Sequence, residues 1–146
     1  MAATKWQVYN EAKKYIAGAD LDLNGTALRM KIVKGTGAAA VSNYALSTFA
    51  SAGTAVSFAN ADAKTPTNIS LRLSSNSILC FDTAAVVFTA SGNLTSLKYA
   101  VIGLSNSYAI AWCKLSTAAF SLGAGSTLTI TPAAAGYFTI SGGSTA

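Results

Sequence analysis

An antiparallel β-sandwich or barrel with one N-terminal α-helix is expected from two features of the chain. Apolar residues recur at helical spacing only near the start, and from Ala27 the period falls to two. At least seven short apolar or alternating runs then follow, separated by Gly, Ser, Asn and Pro clusters, as in sandwiches and barrels. Only 10% of the 146 residues are charged, against about 25% in an ordinary soluble domain. Ala, Ser, Thr and Gly must therefore cover much of the exterior. One domain spanning residues 1–146 is expected, burying roughly two-thirds of its unfolded surface.

The helix is expected over residues 4–17. Thr4 and Gln7 have the spacing of a capping box, in which the Gln side chain reaches back to the first amide. Trp6, Val8, Tyr9, Ala12, Tyr15 and Ile16 form an apolar stripe, Glu11, Lys13 and Lys14 take the other face, and Gly18 stands where a helix would stop. In "ALRMKIVK", Leu28, Met30 and Ile32 alternate with Arg29 and Lys31, which predicts a strand with one wet face. Residues 35–65, rich in Gly, Ala, Ser and Asn, read as a long loop, with a short helix around Tyr44–Ala50 and a brief strand at Val56–Phe58. A loop of that length is usually functional or mobile.

Strands then come quickly. "NISLRLS" sets Ile69, Leu71 and Leu73 against Ser70, Arg72 and Ser74, and "SILCFD" follows after a polar turn. "AAVVFTA" ends at Ser91-Gly92-Asn93, a turn signal. Leu97, Tyr99 and Val101 lead to a turn at Ser105–Ser107, and Tyr108, Ile110 and Trp112 return. This hairpin, "LKYAVIGLSNSYAIAWCKL", is apolar on both sides and is expected to be covered on both. "STLTITP" and "GYFTIS", divided by Pro132 and Gly136, are expected to pair with each other.

The chemistry of an enzyme is missing, and none is expected. With no His, a nucleophile lacks its usual base. The carboxylates are Glu11, Asp20, Asp22, Asp62 and Asp82; only Asp20 and Asp22 are close in sequence, and they precede the Asn24-Gly25 turn, where local capping is their expected work. "GTG" at 35–37 and "GAGST" at 123–127 lack the Gly-Lys-Ser/Thr of a phosphate loop. Cys80 and Cys113 have no partner at metal-ligand spacing and are expected to be small buried residues with free thiols. No catalytic residue, cofactor or metal site is assigned.

Ten Lys and Arg against five Asp and Glu give a net charge of +5. They are scattered rather than interleaved with aromatics, so no specific nucleic-acid partner is expected, and the basic positions read as solvated. No run of about 18 apolar residues marks a membrane span. The start of the chain lacks the apolar core of a leader, so synthesis and residence in the cytosol are expected.

The order "KWQVYNEAKKYIAG", "ADLDLNG", "ALRMKIV", the hairpin "YAVIG…AIAWCKL" and the closing "LTITPAAAGYFTIS" resembles a group of small phage virion proteins. These are cement or decoration proteins that sit on the assembled head, and the resemblance implies a jelly-roll-like antiparallel β-sandwich. The resemblance spans residues 5 to about 141 and is poorest over 36–60. It implies a capsid-surface location, the major capsid protein and copies of the chain itself as partners, and no substrate. A tail or head-fibre component shares such a composition. A carbohydrate-binding sandwich is the alternative from another class, with Tyr99, Tyr108 and Trp112 as a platform if exposed, although their alternation places them inward. Residues 36–60, the strand edges and the helix are the expected contact surfaces.

Overall fold

The computed structural model describes residues 4–17, 23, 27–37, 41–43, 45, 48–59, 61–73, 78–105, 107–134 and 136–141. It is an all-β, sandwich-like fold with a short helix near its start. In chain order the elements are β1 (Gln7–Val8), α1 (Asn10–Ala17), β2 (Leu28–Lys34), a 3-10 turn (Gly35–Gly37), β3 (Ala63–Lys64), β4 (Ser70–Leu73), β5 (Ile78–Asp82), β6 (Val86–Thr89), β7 (Leu94–Leu104), β8 (Ala109–Lys114), β9 (Phe120–Leu122), β10 (Thr127–Ile130) and β11 (Phe138–Ser141).

The main sheet runs β1-β8-β7-β2-β3, with β9 also paired to β7, and all its pairings are antiparallel. Its centre is the predicted hairpin, β7 and β8, with β2 laid along the other side of β7. Met30 stands opposite Ile102 and Ile32 opposite Ala100, while Ala100 also faces Cys113 across β8. Two bulges adjust the side-chain parity. Between Val33/Tyr99 and Lys34/Leu97 the partner strand gains Lys98, and between Ile102/Ala111 and Gly103/Ala109 it gains Ile110. Each extra residue breaks the strict alternation, so Leu97 and Ile110 join Ala100 and Ile102 in one core. The expectation that both hairpin faces are covered holds: Ala100, Val101, Ile102 and Ala111 are all fully buried.

The second layer holds β11-β5-β4 and the β10-β6 pair. Its inward residues Phe81, Val86, Phe88, Ile130 and Phe138 meet Leu28, Met30, Ile32 and Ile102 from the main sheet. Phe81 stacks on Phe138 with centroids 5.0 Å apart, and Phe58 meets Phe88 at the same distance. Burial of each such side chain is worth roughly 1.5–3 kcal/mol, so this cluster dominates stability. The two closing strands do not pair with each other. Thr127–Ile130 lies along β6, and Phe138–Ser141 along β5. Only an isolated bridge, Ala133 to Gly136, joins the segment between them. Gly136 turns with φ +82°, and a Cβ there would overlap the Phe81 carbonyl oxygen. That turn carries the chain from one small sheet to the other instead of folding it back as a hairpin.

The third layer covers the opposite face of the main sheet with α1 and part of the long connection. Tyr9, Ala12, Val41, Phe49 and Ala52 pack on Val33, Tyr99, Val101 and Ala109. Here two expectations fail. The helix begins at Asn10 rather than near residue 4, because Thr4 to Tyr9 are drawn into sheet hydrogen bonds. Thr4 N donates to Lys114 O at 2.8 Å, Lys114 N donates to Thr4 Oγ1 at 3.0 Å, and Tyr9 N donates to Ile110 O at 3.0 Å. Thr4 is thus a sheet-edge residue, not a helix cap, and Gly18 lies outside the described residues.

The described part of 44–50 is also not helical. It is a turn in which Thr48 bridges Tyr108, Phe49 N donates to Ser107 O at 2.8 Å, and Thr48 Oγ1 sits 2.6 Å from Ser51 Oγ. Val56–Phe58 forms no strand, although Val56 N donates to Ile32 O at 2.8 Å and Ala55 bridges Val33. Val41, Phe49, Ala52, Val56 and Phe58 are all buried, so these residues are parts of the core rather than of a free arm.

Candidate interaction surfaces

The three described carboxylates, Glu11, Asp62 and Asp82, sit on separate parts of the fold. Glu11 accepts from Lys14 Nζ at 3.3 Å within α1, and exposed Asp62 lies just before β3. Asp82, at the end of β5, accepts from its neighbour Thr83 N at 2.9 Å and lies 3.9 Å from Arg72. Asp20, Asp22 and the Asn24-Gly25 turn fall outside the described residues. Among the described residues no three His, Cys, Asp or Glu side chains gather as a metal site would need, and no helix is long and apolar enough to cross a membrane. Cys80 and Cys113 are both buried, as expected from their strands, and neither is in a disulfide. Burial pushes the Cys113 thiol up to about 12, against a smaller opposing effect of a hydrogen bond with the Ala100 backbone. Such a thiol is held neutral and is a poor nucleophile.

One residue departs sharply from its predicted place. Alternation in "LRMKIVK" puts Lys31 on a wet face, yet it is only 4% exposed. The main sheet is covered on that side too, so Lys31 is enclosed under the 48–53 turn. Its ammonium donates to Gly53 O at 2.6 Å and Phe49 O at 2.7 Å, with Ala50 O at 3.5 Å. It also lies 4.7 Å from the centre of the Phe49 ring, where the π face attracts a cation. Burial lowers its pKa from the ordinary lysine value, while the convergent carbonyl oxygens favour the charged form. Charge-assisted bonds of this kind are the stronger ones, so Lys31 fastens the turn to the sheet. Phe49 in turn lies against Gly103, where any Cβ would overlap the ring and come within 2.6 Å of Tyr108 O. Nothing in the strand pattern marks this lysine, because the covering segment comes from elsewhere in the chain.

Tyr99, Tyr108 and Trp112 form no shared platform. Tyr99 is buried and meets Trp112 edge-on at 6.0 Å, while Tyr108 packs against Tyr15 of the helix with centroids 4.0 Å apart. Tyr108 and Trp112 are half-buried.

Among the described residues, sheet edges and open clefts remain accessible, and two of the clefts stand out. β1 and β3 terminate the main sheet, and β4 and β11 terminate the three-stranded one. Leu71 on β4 is 40% exposed and Val87 on β6 is 44% exposed. Leu71 thus stands outward on β4, a terminal strand of its sheet. The first cleft, about 600 Å³, has Lys34 with Thr36, Thr54, Ser57 and Thr95 around it. Asn93, also on its wall, has its Oδ1 engaged by Ala124 N at 3.3 Å.

The second cleft, about 580 Å³, opens between the segment Thr4–Val8 and β11. Tyr137 and Phe138 are buried at its wall and Trp6 is half-buried, with the Trp6 and Tyr137 rings edge to face at 5.1 Å. Thr83 and Ile130 O both lie within hydrogen-bond reach of the Tyr137 hydroxyl, at 3.4 and 3.3 Å, and fix that ring.

No protein-family model, curated protein or solved structure matches the chain.

Proposed function

We propose that the protein is a virion structural component, a cement or decoration protein that binds an assembled phage head and stabilises it without turning over a substrate. The observation that carries the reading is the combination of a fully packed β framework with a surface poor in charge: 10% charged residues overall, with Leu71 and Val87 presented outward. Burying Ser, Thr and Ala faces against a neighbour strands few charges, so the desolvation cost of docking is low. Copies on a lattice then act together, because each bound neighbour raises the effective concentration for the next contact. The major capsid protein and other copies of the chain are the partners in this reading, and the particle surface is its place.

The packing described above changes how contact would be made. Val41, Phe49 and Ala52 are committed to the core, so docking falls to terminal strands, outward side chains and the clefts. The test is to assemble shells of the capsid lattice with and without the protein and compare melting and co-sedimentation. A ligand that binds only the assembled state raises its melting temperature by mass action. Equal melting with no co-sedimentation overturns the reading, and recovery in purified tails or fibres assigns the protein there instead.

A further inference from the structure

We infer that the cleft between Thr4–Val8 and β11 binds an extended, acidic-apolar segment of a partner polypeptide, which adds as a strand to these edges. The inference rests on the lattice reading for the source of the segment alone; the chemistry of the cleft stands by itself. β1 is the last strand of the main sheet and β11 the last strand of the three-stranded sheet. Both contribute walls to the same cleft. Strand residues direct alternate backbone groups to opposite sides. With β8 taking one side of β1 and β5 one side of β11, the other sides are the ones that a further strand pairs with. Thr4–Val8 is long enough to pair with about five residues, roughly 16 Å of extended chain.

The lining selects the occupant. Trp6, Val8 and Phe138 make an apolar wall, where alternate side chains of an added strand find pockets. Among the described residues, Lys5, exposed at the rim, is the only charged side chain of the lining, and no carboxylate is among them. A segment with a carboxylate beside its apolar residues is therefore the complementary one, and a second copy of this chain, at net charge +5, is the poorer one. A sugar is disfavoured because the described lining residues offer hydroxyls and one ammonium, but no carboxylate, amide or guanidinium side chain to pair two adjacent sugar hydroxyls.

The test is a titration of the intact protein with a capped peptide of alternating Val and Asp, followed by calorimetry and by the Trp6 indole signal in NMR. Three comparison probes are used: the same peptide with Lys for Asp, a version N-methylated at alternate residues, and methyl glucoside. Saturable binding is expected for the acidic peptide, weakened about tenfold or more by Lys-for-Asp exchange or N-methylation, since these remove the charge match or the strand hydrogen bonds. Lys5→Glu, at an exposed position, should weaken it to a similar degree with unchanged thermal melting, and Trp6→Ala should abolish the indole response.

Absence of binding at millimolar peptide, equal binding of both charge versions, or displacement of the peptide by methyl glucoside overturns the inference. So does self-association that the peptide blocks. The lattice reading is judged separately: shells that still carry the protein when no peptide binds leave that reading intact and remove only this one, while peptide binding without shell binding does the reverse.

Discussion

Replacing Lys31 by Met keeps the length of the stem and removes only the charge that holds the 48–53 turn. The ammonium makes two short bonds, 2.6 Å to Gly53 O and 2.7 Å to Phe49 O. A bond involving a charged group is worth about 1.5–3 kcal/mol, and a buried carbonyl left unpaired costs about 1–3 kcal/mol. Opposing this, Met needs no desolvation of an ammonium, a relief of several kcal/mol, and Phe49 O retains a long bond from Ala52 N at 3.3 Å. The net destabilisation is expected at about 2–4 kcal/mol, or a melting temperature lower by about 4–16 °C for a domain of this size. Hydrogen exchange localises the effect. The amides of Phe49 and Val56, which donate to Ser107 O and Ile32 O, should lose protection before those of the β7–β8 ladder. A Lys31→Met variant that melts within about 1 °C of the parent, with Phe49 and Val56 amides as protected as before, would refute the idea that this lysine anchors the turn.

Gly103→Ala should cost about 2–4 kcal/mol, measured by urea unfolding, because its Cβ meets both the Phe49 ring and a backbone oxygen 2.6 Å away; adding Phe49→Ala relieves the ring but not the oxygen, so it should not restore stability. Leu71→Ser, by contrast, should change stability by no more than about 0.5 kcal/mol in the same assay, since the side chain is 40% exposed. Alkaline pH should weaken the fold. The folded pKa values of Cys113, Tyr9 and Tyr137 are raised by burial, so their stabilising contribution is complete below the unfolded values and is lost as pH rises towards the folded ones. For Cys113 that window runs from 9.0 to about 12. Lys31 acts with the opposite sign, because its folded pKa is lowered, and one lysine does not offset three groups. Melting temperatures should therefore fall as pH rises from about 9 to 11; a rise over that range would reverse the assignment. The Cys113 thiol should also resist iodoacetamide at pH 8 until the protein is unfolded, as read by mass spectrometry.

The strands that follow from local pattern were legible in the sequence. β2, β5, β6, β7 and β8 each announce themselves by apolar runs and bounding turns, and the two-sided burial of the hairpin follows from its lack of any polar face. Partnership was not legible. Thr4 and Gln7 carry a helix-capping pattern, but the backbone of β8 competes for the same groups and prevails, and β8 lies 110 residues away. The alternation of "STLTITP" and "GYFTIS" reports that each is a strand without saying which neighbour it joins, so β10 on β6 and β11 on β5 could not be read from it. Lys31 illustrates the same limit from the other side: alternation identifies its face, while the cover over that face is supplied by Phe49 and Gly53. Of the cleft, Trp6 was visible only as part of a presumed helical stripe, because Phe138 and Tyr137 approach it through tertiary structure alone.

The placement of β1 has a consequence for how the protein is made. Thr4 is bonded to Lys114, 110 residues further along, yet it leaves the ribosome first. At about 5–20 residues per second, the opening segment must wait on the order of 5–20 s before the strand that will hold it has been synthesised. During that interval the aromatic residues of Trp6 and Tyr9 have no sheet to cover, which makes them a natural handle for chaperones in the producing cell. Slowing translation ahead of residue 114 lengthens the exposure, whereas a circularly permuted gene that places Thr4–Ala17 after β11 would abolish the wait.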